Sequence, residues 1–211
     1  MKILVIGATG QTGRLVVAQG IALGNEMVAY VRHPKKLTPQ VGLTIISGEL
    51  ADEERLIQSM HTVDAIVITL GASIKKISEP VLQDNMPHII RAAQAARVKR
   101  VVVLSALGVG QTKNNTIFPY KMMTKFLLGK PFQDHELSEQ FLADSELHWT
   151  TINPGILTNQ AKPQRSRQFL AKSGHKAPLI PITQRQDVAA ALLAVIPKQS
   201  TWEQAVIVLS N

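Results

Sequence analysis

Apolar residues occur along the chain in short continuous runs, and amphipathic stretches fill the spaces between the runs. The runs are rich in Val and Ile and cover residues 3–6, 27–31, 43–46, 64–70, 101–105, 148–152 and 205–209. A strand exposed on one face would alternate polar and apolar residues, so these runs indicate strands covered on both faces. Because they alternate with helical patterns, the sequence predicts an α/β fold with a doubly wound, mostly parallel sheet, helices on both faces and a small C-terminal substrate-covering part.

Turn and capping residues mark the ends of four predicted helices. Gly24 follows the first helix as a C-terminal cap, and Asp52 opens the second as an N-cap. Pro87 fits an early position in the third helix. Thr183, with Gln186 three residues later, forms a predicted capping box for a helix through residues 189–195.

A glycine-rich turn joins the first predicted strand to the first predicted helix. Its sequence is Gly7-Ala8-Thr9-Gly10-Gln11-Thr12-Gly13. The first glycine lets the chain leave the strand sharply, the second lets the backbone approach a pyrophosphate, and the third lets helix and strand pack closely. Unpaired amides at the helix N-terminus favour an anion. The turn predicts a dinucleotide site, with contacts from Gly7, Thr9, Gly10, Gln11, Thr12 and Gly13.

Arg32 stands directly after the second strand, where a carboxylate would accept hydrogen bonds from an adenosine ribose. A guanidinium can instead pair with a 2′-phosphate through two hydrogen bonds. With His33, Lys35 and Lys36 nearby, Arg32 predicts NADP(H) as the cofactor; the alternative is an ordinary solvated loop.

Length and composition suit one domain over residues 1–211, with 45% hydrophobic residues and room for a sizeable core. No apolar segment approaches the roughly 20 residues needed to cross a bilayer, and Met1-Lys2 leads directly into a strand, so we expect a cytoplasmic, soluble protein without membrane attachment. The chain has no cysteine, which excludes disulfides, thiolate metal sites and cysteine nucleophiles.

The formal net charge of +8 is unevenly distributed. Eight Lys or Arg residues and no acidic residue lie between Asp84 and Asp134. Six Lys or Arg residues and no acidic residue lie between Glu146 and Asp187. Nucleic-acid binding would call for aromatic residues among the basic ones, but aromatics are only 4% of the chain, and we expect no nucleic-acid partner. The remaining interpretations are a generally solvated basic surface and attraction of a phosphorylated cofactor and an acidic substrate.

Several segments together resemble the atypical short-chain dehydrogenase/reductase-like proteins with an NAD(P)-binding Rossmann domain, including NmrA-like and biliverdin-reductase-B-like members. The resemblance spans nearly the whole chain. It is carried by the glycine turn and by Val31–Leu37, Ser47–Asp52, Val98–Ser105, Thr151–Gly155 and Ile182–Ala189. It implies that Glu49 and Leu50 lie by the adenine and that Leu70, Gly71 and Ala72 follow the adenosine and ribose. It also implies that Ser105, Pro154, Gly155 and Ile156 lie beside the nicotinamide.

The chain departs from the Ser, Tyr and Lys set that standard reductases of this superfamily use. Tyr120 follows Ser105 at a plausible distance, but the residue four positions after Tyr120 is Thr124, and Lys125 is turned about 140° away on a helix. Atypical members also lack the set, and in several of them solvent supplies the proton. We take Ser105 as the residue that orients the acceptor, with Tyr120 and His135 as secondary catalytic candidates.

Two further positions bear on the predicted site. Asn153 stands where the family commonly has an arginine, which alters the substrate pocket. His135 lies four residues before Glu139, where related proteins carry a lysine or histidine on the active-site side; the alternative is a surface His–Glu pair. A second histidine, which a zinc-protease helix would need, is missing after His135 and Glu136, so we predict no metal.

The sequence therefore supports an NADP(H)-dependent oxidoreductase that transfers hydride to a small planar or anionic acceptor such as a flavin or quinone. The alternative is a non-catalytic NADP(H)-binding redox sensor that binds a partner protein, as the NmrA-like resemblance permits. An epimerase or isomerase is a third, weaker interpretation, since it usually needs a tyrosine base with its lysine. The family includes both monomers and homodimers.

Overall fold

The computed structural model describes residues 1–71, 79–122, 129–159 and 166–210. The strands are β1 (Lys2–Ile6), β2 (Glu26–Val31), β3 (Leu43–Ser47), β4 (Ala65–Ile68), β5 (Arg100–Leu104), β6 (His148–Pro154), β7 (Ile156–Thr158), β8 (Ser166–Leu170), β9 (Ile182–Gln184) and β10 (Gln204–Ser210). The helices are α1 (Gln11–Ala22), α2 (Glu53–Met60), α3 (Leu82–Ala95), α4 (Gly129–Ala143) and α5 (Arg185–Ala194). Short 3₁₀ turns connect several of them.

Eight strands form one sheet in the order β3-β2-β1-β4-β5-β6-β10-β8. All seven strands that the apolar runs predict are present, and they pair in parallel. One core packs α1 and α5 against one face of the sheet, and a second core packs α2 and α3 against the other. The predicted doubly wound α/β fold is confirmed.

Two strand pairings were not predicted. The strand β8 runs antiparallel to β10 at one edge of the sheet, from Val206 opposite Leu170 to Ser210 opposite Ser166. A separate small sheet joins β7 to β9 in parallel, with Ile156 opposite Ile182. The three strands that these pairings add, β7, β8 and β9, lie between residues 156 and 184, where the apolar runs predict no strand.

The helix ends follow the sequence at two points. The helix α1 ends before Gly24, which has a φ of +78° that suits glycine. The Asp52 carboxylate accepts a hydrogen bond from the Arg55 amide at 3.1 Å and caps α2. Both predicted caps are confirmed.

The start of α3 differs from the prediction. The helix begins at Leu82, so Pro87 is its sixth residue and lies in the interior of the helix. The cause is the Asp134 carboxylate of α4, which accepts hydrogen bonds from the amides of Val81, Leu82 and Gln83 at 2.7–3.1 Å. This external cap starts the helix before Pro87.

The predicted capping box at Thr183 is wrong. The Thr183 hydroxyl donates to the Val208 carbonyl oxygen at 2.7 Å and accepts from the Gly155 amide at 3.0 Å. These bonds tie β9 to β10 and to the end of β6, and α5 begins at Arg185 without a side-chain cap. Long-range pairing of β9 therefore uses the hydroxyl that the local motif assigned to the helix.

Candidate functional site

The glycine turn between β1 and α1 has the close packing that its sequence predicts. Gly7 has a φ of +89°, and a Cβ there would lie 2.8 Å from the Thr69 backbone. A Cβ on Gly13 would lie 2.2 Å from the Gly7 carbonyl oxygen, whereas one on Gly10 would meet that oxygen at 3.2 Å. Gly10 is the N-cap of α1, and no side chain in the described part of the chain caps this end. The first-turn amides of Gln11, Thr12 and Gly13 are thus available to an anion.

A cleft of about 560 Å³ opens at the carboxyl edge of the parallel strands, beside the glycine turn. The ends of β1, β2 and β4 and the loop after β3 contribute its floor, and residues 79–81 with Asn85 form the opposite wall. Eight of the predicted cofactor residues line this cleft: Gly7, Thr9, Gly10, Arg32, Glu49, Leu50, Leu70 and Gly71. Ligands of open α/β sheets bind at this edge. Ala72, which the resemblance places next in the row, lies outside the described residues.

A smaller cavity of about 120 Å³ continues from the cleft toward the end of β2. Tyr30, Gly48, His33 and Lys36 join its lining. The Tyr30 hydroxyl donates to the Glu49 carbonyl oxygen at 2.9 Å, and a Cβ on Gly48 would lie 2.1 Å from that hydroxyl. The glycine therefore lets Tyr30 fix the loop after β3, a contact that the sequence did not predict.

Basic groups surround this end of the cleft. Arg32 is exposed and lines both cavities, while His33 and Lys36 line the smaller one. Arg14 of α1 donates to the Thr9 carbonyl oxygen at 3.1 Å and to the Lys36 carbonyl oxygen at 2.6 Å. Arg14 therefore ties the glycine turn to the basic loop, a role that sequence spacing did not reveal.

The predicted nicotinamide-side residues lie at the carboxyl ends of the next strands. Ser105 directly follows β5, and its amide donates to the Ile152 carbonyl oxygen of β6 at 2.8 Å. Pro154 ends β6, and the Ile156 amide donates to the Pro181 carbonyl oxygen at 2.7 Å. A Cβ on Gly155 would lie 2.3 Å from that same oxygen, so this turn requires glycine. Their contact with a cofactor remains a prediction.

Ser105 is buried and bonded to the Glu139 carboxylate, which the sequence did not predict as a site residue. Its hydroxyl donates to Glu139 Oε1 of α4 at 2.5 Å. Asn153 of β6 donates through Nδ2 to the same oxygen at 3.3 Å and to the Ala106 carbonyl oxygen at 3.0 Å. Asn153, at the position where an arginine was expected, therefore contacts Glu139, which is buried and not part of a surface pair. Burial raises the pKa of Glu139, although the hydrogen bonds from Ser105 and Asn153 oppose the shift.

The two secondary catalytic candidates have different surroundings. Tyr120 is buried in an apolar cluster with Leu107, Ile207 and Leu209, and burial raises the pKa of its hydroxyl to about 12. A phenol in this setting is a poor base at neutral pH. The positions that decide the Tyr-Lys spacing, Thr124 and Lys125, lie outside the described residues. The catalytic role of Tyr120 remains a prediction.

His135 does not form the surface pair with Glu139 that spacing allowed, because Glu139 is buried and bonded to Ser105 and Asn153. The His135 Nδ1 atom is buried and has no hydrogen-bond partner within the described segments. Burial lowers the pKa of His135 to about 4, so the ring is neutral at physiological pH. Its catalytic role also remains a prediction.

A second cavity, of about 540 Å³, lies between α1 and α5 at the opposite edge of the sheet. Its lining is mostly apolar and includes Met1, Leu23 and Leu193. A binding site usually combines apolar walls with a few convergent polar groups. The carboxyl-edge cleft meets this description better, so we take it as the candidate site.

In the described part of the chain, no helix has both the length and the apolar character to span a bilayer.

Arg100 belongs to one of the basic stretches expected to attract ligands, but it is buried and its guanidinium is bonded to neutral oxygens. This one residue must be removed from the proposed attracting surface.

Comparison with known proteins gives relatives with different roles. The photosystem II assembly factor Ycf39 of Synechocystis is 28% identical over 198 residues, covering 90% of this chain and 56% of its own length. The phenylcoumaran benzylic ether reductase TP7 of Nicotiana tabacum is 29% identical over 130 residues, covering 57% of this chain and 40% of its own length. The chain thus spans about half the length of the curated relatives that it matches.

Solved structures share the fold at low identity. A short-chain dehydrogenase/reductase from Veillonella parvula in complex with NADP superposes with a TM-score of 0.82 at 16% identity, covering 99% of this chain and 94% of its own. ChuY, an anaerobillin reductase from Escherichia coli, superposes with a TM-score of 0.81 at 19% identity, covering 100% of this chain and 97% of its own. A family profile described as NAD(P)H-binding matches residues 7–199. With its glycine turn, its carboxyl-edge cleft and this match, the chain belongs to the NAD(P)H-binding family.

Proposed function

We propose that the protein is an NADP(H)-dependent reductase that transfers hydride to a small planar or anionic acceptor, with a flavin or a quinone as the first choice. The observation that carries the proposal is the carboxyl-edge cleft, which is lined by Arg32 and by the carboxyl ends of β1 and β4. The strand β5 is the neighbour of β4 and ends at the Ser105–Glu139 pair.

The placement of Ser105 follows from the strand register. The last paired residues of β4 and β5 are Ile68 and Val103. Leu70 and Ser105 each come two residues later, and Leu70 lines the cleft. A dinucleotide with its pyrophosphate on α1 would extend in this direction, since the nicotinamide half lies beyond the first βαβ unit in such folds. The bound dinucleotide would supply the hydride, and the chain would supply orientation and hydrogen bonds.

The adenosine end of the cleft supports NADP(H) rather than NAD(H). Arg32 is exposed at the end of β2 and has a planar fork that suits a phosphate, and Lys36 adds a second cation beside it. Arg14 holds the Lys36 carbonyl and so keeps this loop against the glycine turn. A carboxylate at position 32 would repel a 2′-phosphate.

The cofactor assignment is tested with Arg32→Ala. We expect NADPH binding to weaken about tenfold to hundredfold, because a charged hydrogen-bonded pair is lost, while NADH binding changes little. Lys35→Ala is the matched control, because Lys35 is an exposed cation of the same loop that lines neither cavity. Titration calorimetry with both dinucleotides gives the answer, and equal losses for NADPH and NADH would contradict the assignment.

Turnover is tested by NADPH oxidation against FMN, riboflavin, quinones, biliverdin-like tetrapyrroles and aldehydes. Saturable oxidation with one class supports a reductase and identifies the acceptor. Ser105→Ala should lower the rate with that acceptor about tenfold to a thousandfold if the hydroxyl orients the acceptor or supplies a hydrogen bond to it. An unchanged rate would remove Ser105 from the reaction.

A second candidate function is a non-catalytic NADP(H)-dependent regulator. The similarity to an assembly factor over 90% of the chain favours it, as does the burial of Tyr120 in an apolar cluster. Tight NADPH binding without turnover across the panel, together with a partner captured in only one redox state, would favour this function.

We further propose that residues 1–211 form one domain that works in the cytoplasm on a small molecule, as a monomer or homodimer.

A further inference from the structure

The Glu139 carboxylate is enclosed by three elements at the carboxyl edge of the sheet. Ser105 after β5 donates to its Oε1 at 2.5 Å, and Asn153 of β6 donates to the same atom at 3.3 Å. Gly110 faces Oε2 so closely that a Cβ at this position would lie 1.8 Å away. Glu139 is 8% exposed and Asn153 is fully buried. The site is therefore shaped around a carboxyl group.

The charges around Glu139 do not compensate an ionised carboxylate. Its two hydrogen-bond donors, Ser105 and Asn153, are both neutral. Glu136 on the same helix repels it, whereas Lys113 from the neighbouring turn attracts it from a distance and is itself paired with Glu136. On α4, His135 is neutral at physiological pH and Asp134 is bonded to the first amides of α3. Within the described segments, no cation forms an ion pair with Glu139.

The protonation of Glu139 decides where the Ser105 hydrogen points. When Glu139 is ionised, the Ser105 hydroxyl donates to it, and no hydrogen is left for a molecule in the cleft. When Glu139 is protonated, its carboxyl group can donate to Ser105 Oγ instead. The Ser105 hydrogen is then free to bond to another acceptor.

We propose that Glu139 is a positioning residue that makes Ser105 a hydrogen-bond donor to the bound acceptor only while Glu139 carries its proton. This inference rests on the proposed function, because it assumes that the acceptor lies beside Ser105. The acceptor is then a molecule with an oxygen or a ring nitrogen that takes this hydrogen bond. Burial, which raises the pKa of Glu139, keeps the donor form populated above the pH at which an exposed glutamate ionises.

The first test is independent of turnover. Infrared spectra of the full chain, recorded as a pH series, should show a protonated carboxyl band that persists above pH 4.5, the ordinary pKa of glutamate. The band should be absent in Glu139→Gln and should persist to higher pH in Ser105→Ala, because a hydrogen bond that favours the ionised form is lost. A carboxyl band that titrates like an exposed glutamate would overturn the proposal.

Folding stability gives a second readout without turnover. The folded chain binds the Glu139 proton more tightly than the unfolded chain, so protonation of Glu139 contributes to the free energy of unfolding. This contribution is complete below pH 4.5 and is lost as the pH rises through the raised pKa of Glu139. Urea unfolding across this range should show the loss in the wild-type protein and not in Glu139→Gln. Glu146→Gln, which alters an exposed carboxylate just after α4, is the control and should behave as the wild type.

The pH profile of turnover completes the test. With FMN and NADPH, or with the acceptor found in the panel, the wild-type rate should fall about tenfold per pH unit above the pKa of Glu139, because the donor form is lost. Glu139→Gln should give a flat profile in this range, because its amide does not titrate. A profile in Glu139→Gln like that of the wild type would overturn the proposal. If no acceptor is reduced, the proposed function fails, and the infrared and unfolding results alone decide the state of Glu139.

Discussion

Arg100 is a buried cation held by neutral oxygens at the start of β5. Its guanidinium donates to the carbonyl oxygens of Val195 and Ile196 at 2.6 and 2.9 Å, and to that of His148 at 2.8 Å. Val195 and Ile196 follow α5, where the helix dipole is negative. Burial lowers the pKa of Arg100 to about 10, so the group stays charged at neutral pH. One side chain thus joins the end of α5 to β5 and β6.

Replacing Arg100 with Met should lower the free energy of unfolding by on the order of 3 kcal/mol, because several buried carbonyl oxygens lose their donor. The adjacent Lys99→Met is the matched control, since Lys99 is exposed, and it should change stability by less than about 0.5 kcal/mol. Urea unfolding measures both. Similar small changes in the two variants would show that water replaces the guanidinium without cost.

Single residues differ in how far their roles can be predicted from the sequence. Gly7 and Gly13 are predictable, because the requirement for glycine comes from a turn seven residues long. Glu139 is not, because its partners Ser105 and Asn153 lie 34 and 14 positions away and the contact exists only once α4 packs on the sheet. Its spacing from His135 pointed instead to a surface pair.

The start of α3 depends on another helix. The Asp134 carboxylate of α4 accepts hydrogen bonds from three successive amides at this start, and it is 5% exposed. Pro80 and Val81, just before α3, line the candidate cleft. The position of this cleft wall is therefore coupled to α4, which also carries Glu139.

Asp134→Ala should lower the free energy of unfolding by about 2 kcal/mol, the upper range for losing a helix cap, and should speed amide exchange at the first turn of α3. Asp134→Asn should lower the free energy of unfolding less, because the amide oxygen of Asn can still accept hydrogen bonds from these backbone amides. Asp144→Ala is the control, since Asp144 is exposed just after α4. Unfolding with urea and site-resolved hydrogen exchange measure these effects. Unchanged exchange at Leu82 and Gln83 in Asp134→Ala would contradict the role of this cap.

At the scale of elements, the sequence predicts what apolar runs and local caps determine. The seven parallel strands and the cap at Asp52 belong to this group. The strands β7, β8 and β9 are short or polar, and three of the five residues of β8 are exposed. Their pairing is decided by neighbours far along the chain, such as Thr183 with Val208. No local pattern carries that information.

The two edges of the parallel sheet have different roles in the whole molecule. The carboxyl edge holds the glycine turn, the basic loop and Ser105. The amino edge holds Arg100 with its hydrogen-bond partners and the apolar cavity between α1 and α5. This division follows from parallel pairing, because all the loops after strands meet at one edge. The parallel sheet was predictable from the sequence, and so was the edge at which the candidate cleft lies.

NADPH should stabilise the whole molecule through the carboxyl edge alone. At free NADPH a hundred times its Kd, the free energy of unfolding should rise by about 2.7 kcal/mol. Local protection from hydrogen exchange should appear at the start of α1 and at residues 69–71, and not around Arg100. Urea unfolding and exchange with and without NADPH measure this. Protection centred on the cavity between α1 and α5 would place the cofactor at the amino edge and contradict this prediction.

The position of β10 between β6 and β8 has a consequence for the order in which the sheet is completed. Residues 204–210 are synthesised after β6 and β8, yet they lie between these two strands. Until they are in place, β8 lacks its partner β10, and the side of β6 that β10 covers is unpaired. Such pairing across many residues is slow, and an unpaired apolar strand edge favours aggregation. The newly made chain is therefore most vulnerable in the interval before β10 inserts.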